Sequence, residues 1–171
     1  MAARKPHGVL LAKLQNLEAY LQELESLMRI PLAEFMGRPY YRRAAERLIQ
    51  IIVEDAIDCG AIVLDLLGKP IPVSSREVFV RLHQAGVLGR SLAHRFQEYV
   101  GLRNRIVHDY DRIEVQLAHR VGQRLVRDGR SDLVAYRVGS RGGSANPCHR
   151  REAIHRVDRQ DAFSGGSHAA V

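Results

Sequence analysis

Residues 102–111 concentrate polar side chains that could act together on a phosphate group. Within eight positions they include a guanidinium, an amide, an imidazole and a phenol: Arg103, Asn104, His108 and Tyr110. An imidazole can take the proton from a ribose 2′-hydroxyl or give one to a leaving 5′-oxygen. A guanidinium can bind a phosphate in a fork and stabilise the charge that builds on its oxygens. These residue types therefore suit the cleavage of RNA without a metal ion.

Helical geometry decides which of these side chains can meet. A helix turns by about 100° per residue, so Asn104 and His108 share a face. Arg103 and His108 lie about 140° apart on an ideal helix. They can converge on one ligand only if the helix ends near His108 or if they line a cleft from its two sides. A structural role stays open as well, because a histidine at a helix end is commonly a cap.

Apolar periodicity predicts that helices position this stretch. In the first segment, leucines and a methionine recur every three or four residues and predict a core-facing helix: Leu10, Leu14, Leu17, Leu21, Leu24 and Met28. A second, longer helix is predicted to begin near Pro39 and to end at Gly68. Its apolar stripe includes Cys59, which we therefore interpret as a buried packing residue.

Two further helices carry the chain into the polar stretch. Ser74 and Glu77 have the spacing of a capping box and predict a short helix that ends at Gly86. A fourth helix is predicted to begin near Ser91 and to continue towards Val107.

The last predicted helix spans about 114–126, and Asp128 and Gly129 are expected to interrupt it, although Leu133, Val134 and Tyr136 could resume it. No segment alternates apolar and polar residues over a length typical of a strand. The sequence therefore predicts an all-α fold.

Composition separates a helical domain, residues 1–137, from a tail, residues 138–171. The tail is rich in Gly, Ser, Arg and His and has few large apolar residues. We expect most of it to be disordered, since little apolar area is available to offset the entropy of ordering it. Cys148, His149 and His155 lack a fourth metal ligand, and no metal site is predicted.

Overall composition excludes several classes of protein. The 171 residues include only two cysteines, too few for a disulfide framework. No apolar run reaches the roughly 18 residues of a membrane helix, so we expect no membrane association and a cytoplasmic location. The net charge is +7, but most of the excess lies after residue 118. It is consistent with either a nucleic-acid surface or a solvated basic tail.

The arrangement Arg103-x4-His108-x-Tyr110, with Asn104 beside the arginine, resembles the signature of the HEPN superfamily. More narrowly, the chain is similar to the HepT toxins of HepT–MntA toxin–antitoxin modules. Further matching segments are Glu77-Val78-Phe79, Leu82-His83-Gln84-Ala85-Gly86-Val87-Leu88, and Arg47-Leu48-Ile49-Gln50 leading to Glu54 and Asp58. The resemblance covers roughly residues 8–127. The C-terminal tail has no counterpart in it.

The resemblance implies a fold, an activity and a set of partners. The fold would be an antiparallel helical bundle that forms a homodimer and brings two sets of Arg103 and His108 across a shared cleft. The activity would be that of a type VII-like toxin: a metal-independent endoribonuclease that needs no cofactor, with Arg103 and His108 catalytic and Asn104 supporting. Its partners would be RNA and an MntA-like nucleotidyltransferase antitoxin, which would attach AMP to Tyr110. The resemblance assigns no role to Glu54 or Asp58.

Two other functions remain compatible with these residues. A non-catalytic helical module could dock a minimal nucleotidyltransferase or a nucleotide and would use the same arginine and tyrosine. A helical oligomerisation domain would need no site at all. The presence of both His108 and Asn104 favours catalysis, since a docking module needs neither.

Overall fold

The computed structural model describes residues 6–108 and 114–141, and every regular element in these ranges is a helix. The helices are α1 (Pro6–Met28), α2 (Leu32–Gly37), α3 (Pro39–Leu66), α4 (Ser75–Gln84), α5 (Arg90–His108) and α6 (Val115–Arg141). α3 contacts each of the other five and forms the centre of a bundle. The predicted all-α helical bundle is confirmed.

α1 and α6 lie antiparallel against each other. His7, near the start of α1, contacts the backbone oxygen of Ser140 near the end of α6. At the opposite end of the pair, Met28 packs against Gly122. The six predicted apolar residues of α1 are all buried in the core of this one chain. The stripe is therefore core-facing, as predicted.

The expected interruption at Asp128 and Gly129 is wrong, because α6 continues through both residues. Gly129 allows close packing: a Cβ atom there would lie 2.6 Å from a methyl carbon of Leu21 on α1. Asp128 is buried and accepts hydrogen bonds from the Tyr99 hydroxyl at 2.5 Å and from Arg95 Nε at 2.9 Å. Both residues serve contacts between helices, which a local pattern does not show.

α6 extends four residues past the predicted domain boundary at 137. Gly139 belongs to this extension and packs near Val87 and Val63. The remaining tail, 142–171, lies outside the described residues. The prediction of disorder there, and the prediction that Cys148, His149 and His155 form no metal site, concern these residues.

Sequence periodicity missed the short helix α2. It lies between Pro31 and Pro39, where two prolines and Gly37 obscure any repeat. Its anchor is Phe35, which is fully buried and contacts His119 of α6 edge-on, with ring centroids 5.0 Å apart.

Several local predictions are confirmed. α3 begins at Pro39, and Cys59 is buried within it. The Ser74 hydroxyl caps α4 by accepting a hydrogen bond from the Glu77 backbone N–H at 3.3 Å. Gly86, with φ +70°, follows the end of α4 in a conformation that favours glycine. None of the helices in the described ranges is long and apolar enough to cross a membrane.

We expect Gly60→Ala to destabilise the fold. A Cβ atom at Gly60 would lie 2.8 Å from side-chain carbons of both Leu82 and Val78, and 2.9 Å from the Tyr136 hydroxyl oxygen. Overpacking of this kind costs about 1–3 kcal/mol, which exceeds the gain in helix propensity. Gly8→Ala is the matched control, since nothing lies within 4 Å of its added carbon. Urea denaturation should give Gly60→Ala a lower free energy of unfolding than the parent. Equal stability of Gly60→Ala and Gly8→Ala would contradict the close contacts described at Gly60.

We expect the buried carboxyl group of Asp132 to make the stability of the fold depend on pH. Its carboxyl group is fully buried on α6, and neither oxygen has a hydrogen-bond partner among the residues described. Burial raises its pKa well above the ordinary value of 3.8. The unfolded chain therefore releases this proton at lower pH than the folded chain. Stability should fall as the pH rises above 3.8, by up to about 1.4 kcal/mol per pH unit, until the folded-state pKa is passed.

We expect Asp132→Asn, which stays neutral, to raise the free energy of unfolding at pH 7 and to change it less at pH 5. Urea titrations of parent and variant at the two pH values measure this difference. If Asp132→Asn is less stable than the parent at pH 7, or if it changes the free energy of unfolding equally at both pH values, the buried carboxyl is not the source of the pH dependence.

Candidate functional site

Arg103 of α5 is held in place by residues of two helices. Its Nη1 donates a hydrogen bond to Asn104 Oδ1 at 3.0 Å, and its Nε lies 3.7 Å from Glu54 Oε1 on α3. About a quarter of the side chain is exposed (24%). Nε itself is buried and forms no hydrogen bond within the described part of the chain. The guanidinium is thus oriented at one end and accessible at the other, which suits a group that binds a phosphate.

Glu54 is a neighbour of Arg103 to which the sequence alone assigned no role. Its Oε1 accepts a hydrogen bond from Gln50 Nε2, one turn earlier on α3, at 3.2 Å. Asp58, one turn later, has a different partner: its carboxylate binds Lys13 Nζ of α1 at 2.7 Å. Glu54 therefore faces Arg103, whereas Asp58 faces α1. The i, i+4 pair Gln50 and Glu54, which brackets the apolar residues 51–53, was the available signal.

His108 is the last residue of α5 and is exposed. Leu102 and Ile106 are buried and anchor this end of the helix in the core. Residues 109–113, which follow His108 directly, lie outside the described residues. No hydrogen bond or ion pair joins His108 to a residue that the structure describes.

The structure brings together only part of the predicted site. It joins Arg103 to Asn104 directly, whereas no hydrogen bond links His108 to either of them. Tyr110, the predicted modification site, lies outside the described residues. Within residues 6–108 and 114–141, no group of three or more His, Cys, Asp or Glu side chains is placed to hold a metal ion.

Contacts one and two turns before Arg103 fix the direction of α5. Phe96 stacks on Phe79 of α4 with ring centroids 5.0 Å apart. Tyr99 and Arg95 bind the same oxygen of Asp128 on α6. Burial, helped by the nearby Asp128 carboxylate, raises the pKa of the Tyr99 phenol, so it stays a hydrogen-bond donor. Tyr99 lies one turn before Arg103, and this cluster therefore sets the position of the arginine.

A basic groove of about 540 Å³ lies beside the end of α5. We call it the α3 groove; it is lined by Pro39, Arg42, Arg43, Glu46, Arg47 and Gln50 of α3 and by Ile106 of α5. Glu46 is the one acidic residue among these lining residues, and its carboxylate forms an ion pair with Arg42 at 2.8 Å. Sequence analysis placed the excess positive charge mainly near the C-terminus and did not identify this concentration in the N-terminal half.

Comparison with known proteins places the chain in a family. The sequence profile of the family described as "Ribonuclease HepT-like" matches residues 17–132. A curated relative, a tRNA nuclease HepT of Aphanizomenon flos-aquae (strain 2012/KM1/D3), is 31% identical over 102 residues, which are 60% of this chain and 69% of the relative.

Solved structures share the fold at lower sequence identity. A tri-AMPylated HEPN toxin of Shewanella oneidensis in complex with MNT antitoxin aligns with a TM-score of 0.70 and 21% identity, over 76% of this chain and 97% of that one. A toxin–antitoxin complex with AMP-PNP aligns with a TM-score of 0.69 and 20% identity, over 75% and 97% of the two chains. The family profile spans more than half of the sequence, and the chain belongs to the HepT-like ribonuclease family.

Proposed function

We propose that this chain is the toxin of a type VII-like toxin–antitoxin module and acts as a metal-independent endoribonuclease in the cytoplasm. The observation that carries the proposal is the guanidinium of Arg103, which Glu54 and Asn104 orient close to the helix end where His108 is exposed. The curated relative supports RNA, and tRNA in particular, as the substrate class. The solved toxin–antitoxin complexes support an MntA-like nucleotidyltransferase as the partner.

The proposed reaction transfers the phosphate within the RNA. The imidazole of His108 takes the proton of a ribose 2′-hydroxyl, and the 2′-oxygen then forms a bond to the adjacent phosphorus. The bond from phosphorus to the 5′-oxygen breaks, and this oxygen receives a proton. Arg103 stabilises the negative charge on the non-bridging oxygens, and Asn104 holds the guanidinium in place. The products are a 2′,3′-cyclic phosphate and a 5′-hydroxyl.

A homodimer would complete the acid–base pair. One chain offers a single imidazole in the motif, whereas the reaction both removes and delivers a proton. A second copy facing the first would supply another His108 and another Arg103 at the same cleft. Light scattering of the active protein should give twice the 19.3 kDa mass of the chain.

The experiment that tests the function compares the chain alone with the chain made beside its partner. Full-length protein is purified in two preparations, one expressed alone and one co-expressed with an MntA-like nucleotidyltransferase. Each preparation is incubated with tRNA in the presence of EDTA. We expect cleavage by the first preparation and little by the second. Absence of cleavage by the protein alone, under conditions where it is folded and dimeric, would favour the non-catalytic docking module.

We expect the antitoxin to add AMP at Tyr110. The adenylate would bring one negative phosphodiester that Arg103 can bind, and its adenosine would occupy space needed by RNA. Intact-mass spectrometry of co-expressed protein should show one or more AMP adducts on the parent and none on Tyr110→Phe, which should stay toxic. An adduct that persists in Tyr110→Phe would move the modification to another residue.

A further inference from the structure

The α3 groove carries positive charge that the fold itself does not use. Arg43 and Arg47 lie one turn apart on α3 and are both exposed. Neither forms an ion pair or side-chain hydrogen bond with another described residue, whereas Arg42 is joined to Glu46. Like charges at i, i+4 destabilise a helix slightly, by about 0.2–0.5 kcal/mol. The pair therefore repels rather than attracts, and a bound polyanion would relieve this repulsion.

Arg103 does not itself line the groove, but two lining residues, Gln50 and Ile106, connect the groove to its surroundings. Gln50 lines its wall and donates a hydrogen bond to Glu54, the carboxylate that faces Arg103. Ile106 forms the other side and lies three residues after Arg103 on α5. An RNA strand bound at Arg103 would have to follow the surface of α3 and α5 past these two residues to reach the groove.

We propose that the α3 groove binds the phosphate backbone of the RNA strand next to the cleaved bond, with Arg43 and Arg47 each contacting a phosphate. This proposal rests on the endoribonuclease function. Side chains one turn apart on a helix are separated by about 5–6 Å at Cβ, a spacing comparable to that of successive phosphates. Arginine forks bind phosphates without regard to base sequence, so the groove adds affinity and direction rather than base recognition.

Binding is tested with the double variant Arg43→Ala/Arg47→Ala in a His108→Ala background, so that the RNA stays intact. The probe is a fluorescently labelled tRNA transcript titrated at several salt concentrations. Loss of two phosphate contacts should weaken binding roughly tenfold and lower the slope of log affinity against log salt by about 1.4. Arg127→Ala is the matched control, an exposed arginine of α6 outside the groove; its affinity and slope should equal those of the His108→Ala parent.

Cleavage separates the groove from the active site. On the active background, Arg43→Ala/Arg47→Ala should affect cleavage of a dinucleotide less than cleavage of tRNA, because the single phosphate of a dinucleotide is the one that Arg103 binds. The same variant should show a reduced kcat/KM on tRNA. If the parent cleaves neither substrate, the endoribonuclease proposal fails, while the titration still reports on the groove. If tRNA binding and cleavage equal those of the parent, the groove does not bind RNA.

A protein would be the alternative occupant of the groove. In that case the double variant would change the molar mass in light scattering, or lose its complex with the nucleotidyltransferase, and leave RNA binding intact. That combination would overturn the proposal.

Discussion

His108→Ala should remove RNA cleavage and toxicity while leaving the fold intact. We expect the cleavage rate to fall by about 10²–10⁴, the range for loss of a general acid–base group. Stability should not change, because His108 is exposed at the last position of α5 and has no partner among the described residues. Single-turnover cleavage of labelled tRNA measures the rate, and thermal denaturation checks the fold.

His94→Ala is the matched control for this variant. His94 is exposed on the same helix, and its one ionic neighbour, Glu98, lies 3.7 Å away. Its loss should leave cleavage at the parent rate. If His108→Ala cleaves as fast as His94→Ala, then His108 is not the proton-transfer group.

Arg103→Ala should lower the cleavage rate by about 10²–10³, the effect of removing one group that stabilises the transition-state charge. Arg103→Lys should recover only part of the activity, because an ammonium lacks the fork that binds two phosphate oxygens. Arg127→Ala, which removes an exposed arginine elsewhere, should have no effect. A full recovery by Arg103→Lys would indicate that only a positive charge is needed.

Glu54 is expected to act through Arg103 as a positioning residue. Glu54→Gln preserves the size of the side chain but removes the charge 3.7 Å from Arg103 Nε. It should reduce kcat several-fold and change KM little, and it should have no further effect in an Arg103→Ala background, as expected for residues that act as a unit. Additive losses in the double variant would show that Glu54 acts independently of the arginine.

Sequence patterns were sufficient for the elements whose residues form a regular local repeat. The leucine stripe of α1, the proline at the start of α3 and the Ser74 cap of α4 each reflect short-range physics, and the structure confirms all three. Arg103 and Asn104 were identified from their types and spacing, and their contact is local as well.

The features that were missed depend on contacts between distant residues. Gly129 has the local character of a helix breaker, yet in the fold it admits Leu21 of α1. Asp128 would favour a helix end by propensity, but Tyr99 and Arg95 hold it inside α6. Glu54 acquires its role from an arginine about fifty positions later. The α3 groove forms between α3 and Ile106 of α5, and the distribution of charge along the sequence does not show which helices lie side by side.

The account is tested most directly by the chemical ends of the cleaved RNA. Cleavage of one labelled tRNA by the full-length protein in EDTA, followed by end-group analysis, identifies the attacking oxygen. If His108 removes the 2′-hydroxyl proton and Arg103 stabilises the charge on the phosphate, the products are a 2′,3′-cyclic phosphate and a 5′-hydroxyl. The same mechanism predicts no cleavage when that ribose is replaced by deoxyribose. A 3′-hydroxyl with a 5′-phosphate, or activity that EDTA abolishes, would contradict the account.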